Sequence, residues 1–256
     1  MNSSPRQEKV SEMMERAEAA LRRAQWFEAE RLALKSLEIA RREDDFDSMA
    51  RIVMPLQEAR RQRLQLALEH KKIHVLEGDI SDEMALSPGC YVVQPPAVGA
   101  DARRLRLAAL RREVPVAVLC REPRTRTGLC PIVTIGQQTV RVRIDPPKNW
   151  DKPDFKWFVA ALESLGNGAI DALDTGLELD RQIDFLLSVL DGVPEHEKLH
   201  QLLESKCKDA VRGFIRSAAV DVLDEELAGV EEEEEIDEDG TVLRRKEAKI
   251  EEEDED

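Results

Sequence analysis

Two histidines in the segment His196-Glu197-Lys198-Leu199-His200 have a spacing that could bind a metal ion. In the H-E-x-x-H pattern, two histidines on one helix face hold zinc and the glutamate activates the bound water. Pro194 suits a helix start, which would put His196 in the first turn of that helix. A third ligand would have to come from the acidic residues Asp221, Asp224 and Glu225.

The same segment also fits a purely structural role. Leu199 and Leu203 continue an apolar stripe along the predicted helix, and the two histidines would lie beside it as partly buried, hydrogen-bonded side chains. We expect this second arrangement, with no metal and no catalytic residue. The alternative is a zinc-dependent hydrolase in which His196 and His200 are ligands and Glu197 is the base.

A second group of polar residues follows a predicted strand near residue 120. Arg121, Arg124 and Arg126 offer three guanidiniums, and Thr125 and Thr127 offer two hydroxyls. This chemistry suits a phosphate or a carboxylate, and ligands of open α/β sheets bind outside the carboxyl ends of the strands. The sequence contains no G-x-G-x-x-G and no P-loop pattern. A small phosphate-type anion bound by Arg121, Arg124, Thr125 and Arg126 is a second alternative, beside a simple solvated loop.

The other reactive side chains predict structural roles. Cys120 and Cys130 flank the arginine-containing loop at a spacing that matches no metal or redox motif, so we expect buried thiols. No serine lies in a G-x-S-x-G pattern. A predicted helix with several arginines could meet nucleic acid, but Tyr91 is the single aromatic residue of residues 73–147. Without a stacking surface, we expect no nucleic-acid partner.

The first 72 residues are predicted to be helical. Apolar residues recur there at steps of three and four, which is the period of an amphipathic helix. One helix is followed by a second from about Trp26 to Arg42 and by a third that begins near Asp45. Pro55 is expected to kink the third helix, or to open a fresh one, before the pattern ends near His70.

The second of these helices carries a pattern known from repeat proteins. In the run AQWFEAERLALKSLEIARREDD, Ala24 stands at the helix-turn position, Trp26 at the aromatic position and Ala29 at the small position. The packing positions of the second helix are taken by Leu32, Ser36 and Leu37. Over about residues 8–56 the chain resembles a tetratricopeptide repeat, which implies a helical hairpin with an interaction surface. Since roughly three repeats are needed to bury their own faces, we expect this hairpin to pack on the rest of the chain or on another copy.

Residues 73–147 change to the pattern of a sheet. Five short β-branched segments are bounded by glycine or proline, which is typical of strands. A helix over about Ala100–Glu113 separates the second and third strands, so those two strands should be parallel with a right-handed crossover. Gly136-Gln137-Gln138 predicts a hairpin between the last two strands. A proline-rich stretch, DPPKNWDKPD, follows as a hinge, and the chain is helical again from Phe155.

The acidity of the chain is confined to its C-terminal part. The net charge is −15, yet residues 1–72 and 73–147 each carry +2, residues 148–229 carry −8 and residues 230–256 carry −11. These four ranges are the predicted organisation: a helical repeat-like region, a small α/β sheet domain, a helical region and a disordered acidic tail. The predicted fold class is α+β with a small mixed sheet and one βαβ crossover.

The most consistent function is a non-enzymatic protein–protein interaction adaptor or scaffold that uses the repeat-like helical surface. No catalytic constellation is complete, and no cofactor is expected apart from zinc in the alternative above. No run of about 18 apolar residues exists and the first 16 residues contain no apolar segment, so we expect no membrane span, no signal peptide and a cytoplasmic location. The identity of the protein partner and the possibility of a homo-oligomer are left open.

Overall fold

The computed structural model describes residues 5–78, 80–81, 83–228, 234–236 and 242–244, with side chains as far as residue 213. Within these residues the chain forms helices around a five-stranded mixed sheet, which confirms the α+β prediction. In chain order the elements are α1 (Pro5–Arg22), α2 (Trp26–Arg42), α3 (Phe46–Glu69), β1 (Ile73–Glu77), β2 (Gly89–Gln94), α4 (Gly99–Arg111), β3 (Val116–Arg121), β4 (Cys130–Ile135), β5 (Thr139–Ile144), α5 (Phe155–Asp171), α6 (Leu179–Leu190), α7 (Glu197–Ala228), β6 (Glu234–Ile236) and β7 (Val242–Arg244).

The N-terminal helices pack in sequence, α1 on α2 and α2 on α3. The turns between them use left-handed residues without glycine, Ala24 at φ 56° and Asp44 at φ 52°. After α1, Gln25 N–H donates to the Ala20 carbonyl at 2.9 Å, which closes a Schellman motif. The structure confirms the bounds predicted for the second helix. It also shows that α3 continues through Pro55 to Glu69 without a fresh start.

The sheet has the order β1-β2-β3-β4-β5. Strands β1, β2 and β3 are parallel, and α4 connects β2 to β3, as the strand–helix–strand pattern predicted. Strands β3, β4 and β5 are antiparallel, and the predicted hairpin between β4 and β5 is present. Strands β1 and β2 form a second parallel connection that the sequence pattern did not indicate, and none of the described residues between them is helical.

Side chains alternate between the two faces of the sheet. Strand β2 is buried along its whole length, and helices cover both faces. On one face, Tyr91 and Val93 pack with Leu105 and Ala109 of α4. On the other face lie α3 and α5: the Cys90 Sγ contacts the Ala67 carbonyl of α3 at 3.8 Å. The prediction that the N-terminal helices need the rest of the chain agrees with the packing of α3 on β2 and β3.

Helix α5 runs without a break from Phe155 to Asp171, and its start agrees with the predicted return to helix at Phe155. Two glycines inside it permit close approach of neighbouring elements. A Cβ at Gly166 would overlap the ring of His196, and a Cβ at Gly168 would overlap the Val142 side chain of β5. Both glycines are therefore contact points inside a continuous helix.

Helix α7 begins at Glu197, not at Pro194 as predicted. Residues 191–195 form turns, and the Gly192 carbonyl accepts hydrogen bonds from Arg106 and from Thr134, the latter at 2.6 Å. These bonds hold the chain outside helical geometry, so His196 precedes the helix.

The chain divides into two compact units, residues 1–210 and residues 211–256. The first unit contains α1 to α6 and the sheet. The second contains the end of α7 and the antiparallel pair β6–β7. Apart from that pair, the predicted acidic tail from residue 230 onward lies outside the described residues. No described helix combines the length and the apolar character that a membrane span requires.

Candidate functional site

A leucine-lined cleft lies between α2, α3 and α6. Its volume is about 540 Å³, within the range of about 300–1,000 Å³ that is usual for ligand pockets. Leu37 and Leu56 are buried in it, whereas Leu34 is 36% exposed at its side. The remaining residues of the lining are Glu38, Arg41, Arg42, Arg60, Gln137, Asp184, Leu187, Leu190 and Asp191. The cleft therefore offers aliphatic surface that the fold leaves partly uncovered.

The charged side chains around this cleft are already paired with one another or with neighbours. Arg41 donates to both carboxylate oxygens of Asp184, at 2.7 and 2.9 Å, which ties α2 to α6. Arg42 pairs with Glu38 at 2.5 Å. Asp191 pairs with Arg103 at 3.2 Å. A ligand in the cleft thus meets free apolar surface and the Gln137 amide, while the charges already have partners.

Beneath the cleft lies a buried ionic cluster. The Arg60 side chain, 6% exposed, donates from Nε to Glu30 Oε1 at 2.9 Å. Arg63 donates to the other oxygen of the same carboxylate, and its guanidinium lies over the Phe27 ring at 4.9 Å. Burial lowers the pKa of Arg60 to about 10. One carboxylate of α2 thus pairs with two guanidiniums of α3 in the interior, and Glu195 Oε1 lies 3.9 Å from Arg63 Nη2.

His200 belongs to this cluster. Its Nδ1 lies 2.9 Å from the His196 carbonyl, and its Nε2 lies 3.2 Å from Arg60 Nη1. Since a guanidinium only donates, Nε2 must accept and Nδ1 must carry the proton. Burial, reinforced by the charge of Arg60, lowers the pKa of His200 to about 3. The imidazole is therefore neutral, with its lone pair occupied by Arg60.

His196 is buried against α5, and its Nε2 lies 3.5 Å from Glu163 Oε2. Burial lowers its pKa as well. Glu197 is exposed and accepts from Gln201 at 3.0 Å. The structure brings the two histidines together but turns His200 toward a cation, which gives the zinc alternative no support. Within the part of the chain that the structure describes, no group of three or more histidine, cysteine or acidic residues could hold a metal ion.

The arginine-containing loop has a different arrangement from the open cluster that its sequence suggested. Arg121 is fully buried, and its Nε donates to Gln94 Oε1 at 2.7 Å. Its Nη2 donates to the Trp150 carbonyl at 2.6 Å, and the guanidinium lies 3.9 Å from the centre of the Trp150 ring. Gln94 in turn donates to Glu77. Glu77, Gln94 and Arg121 end three parallel strands, so a polar row lies at the carboxyl edge of the sheet.

The other members of the predicted anion group are separate from this row or only partly joined to it. Arg124 is exposed, with its guanidinium 4.6 Å from the centre of the Trp150 ring. The Thr125 hydroxyl accepts from Leu129 N–H at 3.1 Å and thus stabilises the loop itself. Arg126 is exposed. The structure therefore brings together Arg121, Arg124 and Trp150, but not Thr125 or Arg126.

The cysteines and the α4 arginines have structural environments. Cys120 and Cys130 are buried free thiols, and burial raises the pKa of Cys120 to about 12. Arg104 of α4 and Arg112, directly after it, donate to the carbonyls of Ile80 and Met84, at 3.2 and 2.7 Å. Together with the bonds of Arg103 and Arg106 described above, these contacts fix neighbouring loops. They do not leave the helix with a continuous free basic face.

Several of these residues escaped prediction although signals were present. Glu30 lies three and seven residues before Ala33 and Leu37, so it falls on the buried stripe of α2. A charged residue on such a stripe indicates a buried partner. Trp150 lies in a stretch interpreted only as a hinge. The cleft combines residues from four segments of the chain, which no local pattern indicates.

Comparison with known protein families, curated proteins and solved structures finds no match for this chain.

Proposed function

We propose that this chain is a non-enzymatic adaptor that binds a leucine-bearing helical segment of a partner protein in the cleft between α2, α3 and α6. The observation that carries the proposal is the leucine lining of the cleft, with Leu34 and Leu187 incompletely buried. The resemblance of α2 to a repeat helix with an interaction surface agrees with this role.

The chemistry of the cleft favours an apolar partner over a charged metabolite. Its charged residues are paired within the chain, for example Arg41 with Asp184 and Arg42 with Glu38. A charged ligand would have to break such a pair, whereas an apolar side chain buries aliphatic area at no such cost. A helix that offers apolar residues at steps of three and four matches a groove bordered by helices.

The proposal extends to the compartment. The four cysteines are free and buried, with no disulfide among the described residues. Free thiols are typical of a reducing compartment, so we place the adaptor in the cytoplasm.

The test changes Leu34, the exposed leucine of the cleft lining. Leu34→Glu puts a charge on the apolar surface and should weaken peptide binding at least about tenfold. Met54→Glu is the matched control, because Met54 is 54% exposed on α3 and is not part of the lining. Peptides of about 12 residues, roughly three helical turns, would be selected from a random library on the full chain, and their affinities measured by isothermal titration calorimetry.

The proposal requires that selected peptides share leucine-type residues at helical spacing, bind the Met54→Glu variant normally and lose affinity for Leu34→Glu. Equal affinity for both variants would place binding elsewhere. Failure to enrich any peptide on the unmodified chain relative to Leu34→Glu would contradict the adaptor role of this cleft.

A further inference from the structure

Arg121 carries a buried charge without an acidic partner. Its side chain has no exposed surface, and no described carboxylate lies within ion-pair distance of it. Gln94 Oε1 and the Trp150 carbonyl accept from Nε and Nη2, whereas Nη1 has no hydrogen-bond partner. Glu77 and Asp151 act on Arg121 only through longer-range charge interactions. Since buried charges in proteins are normally paired, Nη1 is the atom at which an anion could complete the pairing.

The surroundings hold the guanidinium in a fixed orientation. The Gln94 amide donates to Glu77 and accepts from Arg121, so neither end of the amide can turn away. The Trp150 ring covers one side of the guanidinium at 3.9 Å. Because Nε and Nη2 are occupied, the buried Nη1 is the one nitrogen of this guanidinium that still lacks an acceptor among the described residues.

A second guanidinium lies on the same ring. Arg124 is exposed, and its guanidinium is 4.6 Å from the ring centre. An exposed side chain can move to admit an ion and then close on it. This arrangement stands at the carboxyl ends of parallel strands, where open sheets bind ligands.

We propose that the carboxyl edge of the parallel strands binds a phosphoryl group between Arg121 and Arg124, beside the Trp150 ring. A phosphoryl group offers several oxygens, so one can accept from Arg121 Nη1 while another accepts from Arg124. The two-donor contact usual between an arginine and a carboxylate is blocked at both edges of Arg121, because Gln94 Oε1 accepts from Nε and Nη2 and the Trp150 carbonyl accepts from Nη2. This inference does not depend on the adaptor role.

The test uses the full chain and inorganic phosphate at about 10 mM against sodium chloride of equal ionic strength. The expected result is saturable thermal stabilisation by phosphate, with an affinity reduced at least about tenfold in Arg124→Gln. Arg126→Gln is the matched control, because it removes the same charge from an exposed position of the same loop. Arg121→Gln should abolish binding, and Arg124→Gln keeps the test valid if the Arg121 variant fails to fold.

Adenosine monophosphate and ribose 5-phosphate, titrated beside inorganic phosphate, identify the source of the phosphoryl group. Tighter binding of either organic phosphate supports a site for that class, and equal affinities support a site for free phosphate. Absence of stabilisation by all three, an equal loss in Arg126→Gln, or stabilisation by acetate and citrate without phosphate would overturn the proposal.

Discussion

At the scale of single residues, the interior of this protein depends on one acidic side chain. Glu30 contacts both Arg60 and Arg63, and all three side chains are at most 6% exposed. His200 accepts from Arg60, so the histidine segment is joined to α2 through two charged residues. The cluster connects α2, α3 and the start of α7; the sequence indicated partly buried, hydrogen-bonded histidines but not their charged partners.

We predict that Glu30→Leu lowers the free energy of unfolding by about 3–5 kcal/mol, because buried Arg60 would lose its paired carboxylate and buried Arg63 the nearer of its two. Glu28→Leu is the control on the same helix. Glu28 pairs with Arg31 near the surface, and such pairs contribute about 0–1 kcal/mol. Urea unfolding followed by circular dichroism measures both losses, and similar values for the two variants would contradict the role assigned to the cluster.

His200 should make the protein sensitive to acid. Its pKa is about 3 in the folded chain, against about 6.5 for an unperturbed histidine. The unfolded chain therefore binds the proton first, so stability is full above about pH 6.5 and falls at up to about 1.4 kcal/mol per pH unit as the pH drops toward 3. The pKa of His196 is lowered in the same direction.

The measurement compares unfolding free energies of the unmodified chain and His200→Gln from pH 7.5 to 4.5. The variant should be less stable at pH 7.5, but its free energy of unfolding should decline less steeply below pH 6.5, because its unfolding takes up as much as one proton fewer. Parallel curves for the two proteins would show that His200 is not held neutral in the interior.

At the scale of elements, the helix ends decide how the N-terminal region turns. Helices α1, α2 and α4 end in the same pattern of two backbone hydrogen bonds. A left-handed residue donates its N–H to the carbonyl three residues before it, and the next residue donates to the carbonyl five residues before itself. The left-handed residues are Ala24, Asp44 and Glu113. Side chains other than glycine are strained there, so the turns store a modest cost.

We predict that Ala24→Gly raises the free energy of unfolding by about 0.5–1 kcal/mol, because glycine adopts this conformation without a Cβ clash. Ala24 is exposed, so no packing is lost. The same change at Ala160, exposed within α5, should lower stability by about 1 kcal/mol. Thermal unfolding of the two variants should therefore shift in opposite directions. A loss in both would mean that the Ala24 turn is not left-handed.

At the scale of the whole molecule, the helical region and the sheet form one unit. Helix α3 contacts β2 and β3, and α5 contacts β3, β4 and β5 on the same face. Residues 1–72, predicted as a separate region, thus cover the sheet within the unit 1–210. The cleft depends on this arrangement, because its lining comes from α2, α3, the β4–β5 turn and α6.

Two truncations should therefore behave differently. Removal of residues 230–256 deletes a stretch of net charge −11 and should leave cooperative unfolding intact, since such a sequence buries little apolar surface. Removal of residues 1–72 uncovers the α3 face of the sheet and should abolish cooperative unfolding. Calorimetry of both proteins tests the pair. Loss of cooperativity in the first truncation, or its retention in the second, would contradict this division.

The elements were largely predictable because they depend on local period and turn chemistry. Trp26–Arg42 was predicted at its observed bounds, and the crossover between β2 and β3 followed from the strand–helix–strand order. Errors occurred where tertiary contact overrides local signals. Pro194 precedes α7 instead of beginning it, because the Gly192 carbonyl is held by other segments.

The sequence by itself determined the fold class, the order of the elements, the amphipathic faces and the concentration of negative charge beyond residue 147, since these follow from residue type and spacing along the chain. Only the tertiary structure decided the environment of each polar side chain. It paired Glu30 with arginines thirty residues away, turned His200 toward Arg60 and buried Arg121 against Trp150. The physical reason is that hydrogen bonding and burial depend on distances between segments, which the local period of a sequence does not contain.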